Sequence, residues 1–94
     1  MIIIREVFIA KPGNASKLAK LLKEVMAEAG VKGVRVMTDM TGVFNKVVME
    51  SELENLAAFY NRMAEYQKKP DAFKKMAGYT DMYHSGKREI YRVL

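Results

Sequence analysis

The chain has no cysteine, no tryptophan and one histidine, His84. Without cysteine there are no disulfides, no thiolate metal sites and no cysteine nucleophile. No second histidine or carboxylate pair stands at metal-ligand spacing, so no metal is expected. No run approaches the ~20 apolar residues of a membrane span, and Ile2–Ile4 is too short for a signal peptide. A soluble cytoplasmic protein without membrane attachment is the expectation. Repeats, low-complexity tracts and Pro/Gly-rich linkers are also missing, so the 94 residues read as one domain, 1–94.

What is present is half hydrophobic and carries a net charge of +5. A basic chain raises nucleic-acid binding. The lysines have a plainer account: Lys17, Lys20 and Lys23 lie opposite an apolar helix stripe, and Lys68, Lys69, Lys74 and Lys75 surround a helix break. No glycine-aromatic RNA signature accompanies them, so no nucleic-acid partner is expected.

The centre of the pattern is Val34–Glu50, two β-rich runs separated by Thr41-Gly42. A two-residue loop pairs Met40 with Val43, Thr38 with Asn45, Val36 with Val47 and Val34 with Met49. One face then holds Val34, Val36, Thr38, Met40, Val43, Asn45, Val47 and Met49, and is mainly apolar. The other holds Arg35, Met37, Asp39, Phe44, Lys46, Val48 and Glu50. A three-residue loop is also sound turn chemistry but mixes the two sets. The second face is too apolar for solvent and too charged for a dry core, which suits a wet but covered surface.

Around this hairpin, Ile2–Ala10 reads as a strand with only one charge on each face. Leu18, Leu22, Val25 and Ala29, joined by Leu21 and Met26, make an amphipathic helix capped by Asn14 or Ser16 and stopped by Gly30. Ser51-Glu52-Leu53-Glu54 has the form of a capping box for a second helix. Its expected buried stripe is Leu53, Leu56, Ala57, Tyr60, Met63 and Ala64. Pro70 breaks that helix, and a short one over 71–77 presents Phe73, Met76 and Ala77. His84–Lys87 reads as a turn and Arg88–Val93 as the last strand.

The order is β-α-β-β-α-β, an α+β, ferredoxin-like arrangement: a four-stranded antiparallel sheet with both helices on one face. The free face is expected to carry Met37, Phe44, Val48, Ile90 and Leu94, an apolar surface that calls for a homodimer joined through the sheets.

Two segments carry a family likeness. They are Thr41-Gly42-x-Phe44-Asn45 leading into Met49-Glu50-Ser51-x-Leu53-x-x-Leu56, and Ser85-Gly86-Lys87-Arg88-Glu89-Ile90-Tyr91. With the element order, they resemble the dimeric α/β-barrel superfamily, which includes antibiotic-biosynthesis monooxygenase-like and NIPSNAP-like proteins. The resemblance implies sheets paired face to face and a pocket between sheet and helices. It also implies a range of activities: cofactor-free oxygenation, haem degradation, lactone isomerisation, or none known. The haem-degrading members use a helix histidine and a pocket tryptophan. This chain has neither, so no haem or other cofactor is expected.

Candidate site residues follow. His84 is either a general base at a pocket mouth or an exposed turn histidine. Asn45 is the one pocket-type polar residue placed on a strand. Tyr60, Tyr79, Tyr83 and Tyr91, with Phe44, either line an aromatic pocket or are ordinary packing. Arg5, Arg35, Arg88 and Arg92 either bind an anion or pair across strands with Asp39, Glu50, Glu6 and Glu89. Met26, Met49, Met63 and Met76 fall at core spacings and read as gap-fillers. The reading of function is a small hydrophobic or aromatic ligand, with oxygenase- or isomerase-like chemistry if the protein is an enzyme. The rival is a non-catalytic binding or interaction module.

Overall fold

Alternating polarity and β-branched residues build a four-stranded antiparallel sheet in the order β2-β3-β1-β4. The computed structural model describes the backbone of residues 1–94 and every side chain except that of Phe73, so the expectation for Phe73 lies outside the described side chains. The strands are β1 (Ile2–Ala10), β2 (Val34–Thr38), β3 (Lys46–Leu53) and β4 (Tyr83–Arg92). The helices are α1 (Ala15–Glu28), α2 (Leu56–Gln67) and α3 (Pro70–Lys75), with a 3-10 turn at Tyr79–Met82 before β4. The helices sit on one side, giving the ferredoxin-like fold. Among the described residues, no helix is long and apolar enough to cross a membrane.

α1 forms where its stripe predicts. Leu18, Leu22 and Val25 are buried, Leu18 and Leu22 against Ala10 and Val47 of the sheet. Gly30 ends it at a φ of 72°, and the Val31 amide donates back to the Met26 carbonyl at 2.9 Å. Lys69 Nζ caps the same end, donating to the Ala29 carbonyl at 2.6 Å. Pro70 opens α3, where its missing N–H costs nothing.

The hairpin keeps its two faces but not its loop. Val34 pairs with Ser51, Val36 with Met49 and Thr38 with Val47, a shift of two residues from the tight-turn register. Asp39 Oδ1 accepts from the Lys46 amide at 2.9 Å and Asn45 takes a φ of 64°, so the ladder stops early and residues 40–45 swing out. Phe44 is therefore in the loop and 86% exposed, not on the free sheet face.

Four other expectations need correction. Ser51–Glu54 does not cap α2, because β3 runs on to Leu53 and buries Ser51; Asn55 is the cap, its side chain accepting from the Ala58 amide at 2.9 Å. Entry from Asn55 turns α2 so that Phe59 is buried while Leu56 and Tyr60 face outward. The segment 84–87 is strand, not turn: β4 pairs with β1 throughout, with a register shift between Ile9 and Ala10 that leaves His84 as the extra residue of a bulge. That pairing sets Arg88 beside Glu6 and Ile90 beside Ile4, on the helix side. Ile90 is thus not on the free face, and Leu94 lies past the strand end. The free face instead carries Ile3, Val7, Ile9, Met37 and Val48, with Arg5, Arg35 and Glu50 among them.

Candidate functional site: a cleft between the sheet and α2

α1 packs directly onto β1, β2 and β3, whereas α2 meets the sheet at β3. Between the sheet and α2 lies a solvent-open cleft of about 890 Å³, well inside the size range of small-molecule sites. Phe8, Met49, Gly86 and Arg88 form its floor, together with Glu6. Leu22 and Met26 of α1 form one wall, and Phe59, Arg62, Met63 and Tyr66 of α2 the other. Met76, Tyr79 and Tyr83 close one end.

The lining is soft and mostly apolar. Met26, Met49, Met63 and Met76 are all half-buried on its surface, so the methionines read as gap-fillers are cleft walls. Three aromatic rings interlock at the closed end. Phe8 and Tyr83 are 5.0 Å apart and Tyr79 and Tyr83 5.6 Å apart, between centroids. Burial, and then the hydrogen bond with Tyr79, push the Tyr83 hydroxyl above its ordinary pKa. Burial raises Tyr66 likewise, with Tyr79 adding to it. These hydroxyls stay protonated at neutral pH and suit hydrogen-bond donation better than proton abstraction.

The charged groups stand near Phe59. Arg88 Nε donates to Glu6 Oε1 at 2.6 Å, and the Arg88 guanidinium lies 5.0 Å from the Phe59 ring centroid. Arg62 lies 5.9 Å from the same centroid and donates through Nη2 to Ser51 Oγ at 2.8 Å. Burial lowers the Arg62 pKa, and Glu6 opposes the shift.

Of the residues singled out in the sequence, the structure brings Tyr79 and Tyr83 together in the cleft. Asn45 and Phe44 line a separate hollow of about 270 Å³ under the hairpin loop. The Asn45 backbone serves the fold, its carbonyl accepting from the Ala10 amide at 2.8 Å. Tyr60 is 64% exposed on the outer side of α2. Tyr91 lies on the free sheet face, its hydroxyl donating to Glu89 at 2.9 Å. His84 is exposed in the β4 bulge and does not line the cleft. Three of the four strand arginines pair as the cross-strand reading expects, Arg5 and Arg35 with Glu50 and Arg88 with Glu6; among the described residues Arg92 forms no ion pair. Asp39 is held by the Lys46 amide. Among the described residues, no group of three or more His, Asp or Glu side chains is placed to hold a metal ion.

Phe59, Arg62 and Tyr66 are not singled out by the sequence reading, yet with Met63 they recur at i, i+3, i+4 and i+7. That second helical stripe was the available signal, obscured by the arginine in it and by the competing Leu56–Tyr60 stripe.

No family model matches the chain, and no curated protein matches it in sequence. Solved structures match it in fold. An uncharacterised NIPSNAP domain protein from Burkholderia xenovorans superposes with a TM-score of 0.83 at 10% identity, over all of this chain and 95% of that one. A NIPSNAP family protein of unknown function from Agrobacterium tumefaciens gives 0.80 at 15% identity, covering 97% and 86%. A NIPSNAP-like domain protein from Burkholderia xenovorans gives 0.83 at 14%, covering 99% and 84%. The fold is that of NIPSNAP domain proteins; at these identities the likeness is one of fold alone.

Proposed function

We propose that this protein binds a small, largely hydrophobic or aromatic molecule in the cleft, as a homodimer paired through its free sheet faces. The observation that carries the reading is the cleft itself: about 890 Å³, walled by four methionines and three interlocked aromatic rings. Tyr79 and Tyr83 are the proposed orienting groups. A binding role stands ahead of a catalytic one, because Tyr66 and Tyr83 of the cleft are raised in pKa and His84 is not in the lining. Pairing is supported by a sheet face that no helix of the chain covers and that carries Val7, Val48 and Met37.

Native mass spectrometry of the gently purified protein tests the binding reading. A low-mass adduct is expected, and Met63→Trp, which fills the cleft, should abolish it. An apo spectrum together with failure to bind the neutral probe 1-pyrenebutanol would overturn the reading.

A further inference from the structure

The charges around the cleft do not balance. Glu6 is the carboxylate among the lining residues, and Arg88 engages it at 2.6 Å. Arg62 and Lys74 also line the cleft, and among the described residues neither forms an ion pair. The hydrogen bond that Arg62 makes goes to a neutral hydroxyl, Ser51 Oγ at 2.8 Å, and uses one of its five N–H donors.

Removing a guanidinium from water is costly unless an anion or a full set of acceptors replaces the water. Arg62 is only half exposed to solvent and has one neutral acceptor, and burial already weakens its hold on its proton. Nη2 belongs to both two-donor edges of the guanidinium, one shared with Nε and one with Nη1, and the bond to Ser51 takes only one of its two hydrogens. Nε and Nη1 make no hydrogen bond among the described residues, so one planar two-donor fork of the kind a carboxylate fits is left complete. Phe59, 4% exposed, lies beside both Arg62 and Arg88, so the cationic group and the apolar wall are contiguous.

We infer that the ligand of the cleft is an apolar carboxylate, its hydrocarbon or aromatic body against the methionine and aromatic lining and its acid group received by Arg62. The inference rests on the binding reading above and specifies the class of molecule. Arg62 supplies the charge-assisted contact and Ser51 fixes its guanidinium in place. Glu6 holds Arg88 aside through a direct hydrogen bond, which an incoming acid would have to displace, whereas Glu6 makes no hydrogen bond to Arg62.

The test compares 1-pyrenebutyrate with 1-pyrenebutanol, fluorescent probes that share one apolar body and differ in the acid group. The wild-type protein should bind the acid about tenfold or more tightly than the alcohol at neutral pH, the scale of a charge-assisted hydrogen-bonded contact. Arg62→Gln should remove that preference, read as the ratio of the two affinities in the same variant, and Arg62→Lys should restore part of it. Lys17→Gln, which removes the same charge from the outer face of α1, should keep the preference. Equal binding of acid and alcohol by the wild type overturns the inference without any variant and leaves the binding reading intact. A preference that survives Arg62→Gln, or that Lys17→Gln also removes, overturns it too, by moving the contact elsewhere or to net charge. If neither probe binds, the cleft reading has failed and the inference falls with it.

Discussion

Gly86 lies directly across the ladder from Phe8, and a Cβ built on it would stand 3.2 Å from Phe8 Cδ1 and 3.4 Å from Tyr83 Cε2. The missing side chain lets the Phe8 and Tyr83 rings lie close to β4, Phe8 in the cleft floor and Tyr83 at its closed end. Gly86→Val adds three carbons where the first alone already meets Phe8 more tightly than ordinary contact. We expect it to cost about 1–3 kcal/mol, as overpacking does, and to weaken 1-pyrenebutanol binding. Urea unfolding and probe fluorescence read the two effects. Unchanged values for both would show that the rings have space to move away.

Glu50 is buried on the free sheet face between two arginines, 2.5 Å from Arg35 and 2.8 Å from Arg5. The hydrogen bond from Arg35, and then that from Arg5, hold its carboxyl below the ordinary carboxylate range despite its burial. A depressed folded-state pKa adds stability that is fully present above the unfolded value, about 4.3, and is lost as pH falls through the folded one. The wild type should therefore melt higher than Glu50→Gln at pH 7, with the gap closing as pH drops below the ordinary carboxylate range. A gap that stays constant from pH 7 to pH 3 would deny Glu50 this role.

Asn55 and Glu54 should separate cleanly. Asn55→Ala removes the acceptor for the Ala58 amide and should cost about 1 kcal/mol. Glu54→Ala should fall within about 0.5 kcal/mol of the wild type, as exposed substitutions generally do, because no capping box forms here. Thermal melts of the two variants decide between the caps.

The proposed pairing makes its own demand on the free sheet face. The wild type should scatter light as a dimer at micromolar concentration, and Val48→Asp should give monomers by burying an unpaired charge in the seam. Phe44→Asp should leave the dimer intact, because Phe44 projects from the hairpin loop. A monomeric wild type would remove the dimer from the proposal.

Element order and strand parity were legible because they depend on local alternation. The even residues of β1 and the α1 stripe meet where their periods place them, with Ile4, Leu18 and Leu22 in the interior. What was hidden depends on partners distant in sequence. His84–Lys87 contains Ser and Gly in a row and reads as a turn, yet pairing with β1 makes it strand. In α2, Leu56 and Tyr60 outrank Arg62 on hydrophobicity alone. The buried hydroxyl of Ser51 gives Arg62 a reason to face inward, and that hydroxyl is visible only once β3 is in place.

The position of β1 has a consequence for how the chain folds. It lies between β3 and β4, and its side chains bond Glu50 across 45 positions and Arg88 across 82. Such non-local pairing makes folding slow for a chain of this length. The floor of the cleft is shared by β1 and β4, so it cannot exist before the longest loop has closed. Until then one edge of β1, rich in isoleucine, is open to any other strand. Aggregation during refolding should accordingly depend on chain concentration far more than the stability of the finished molecule would suggest.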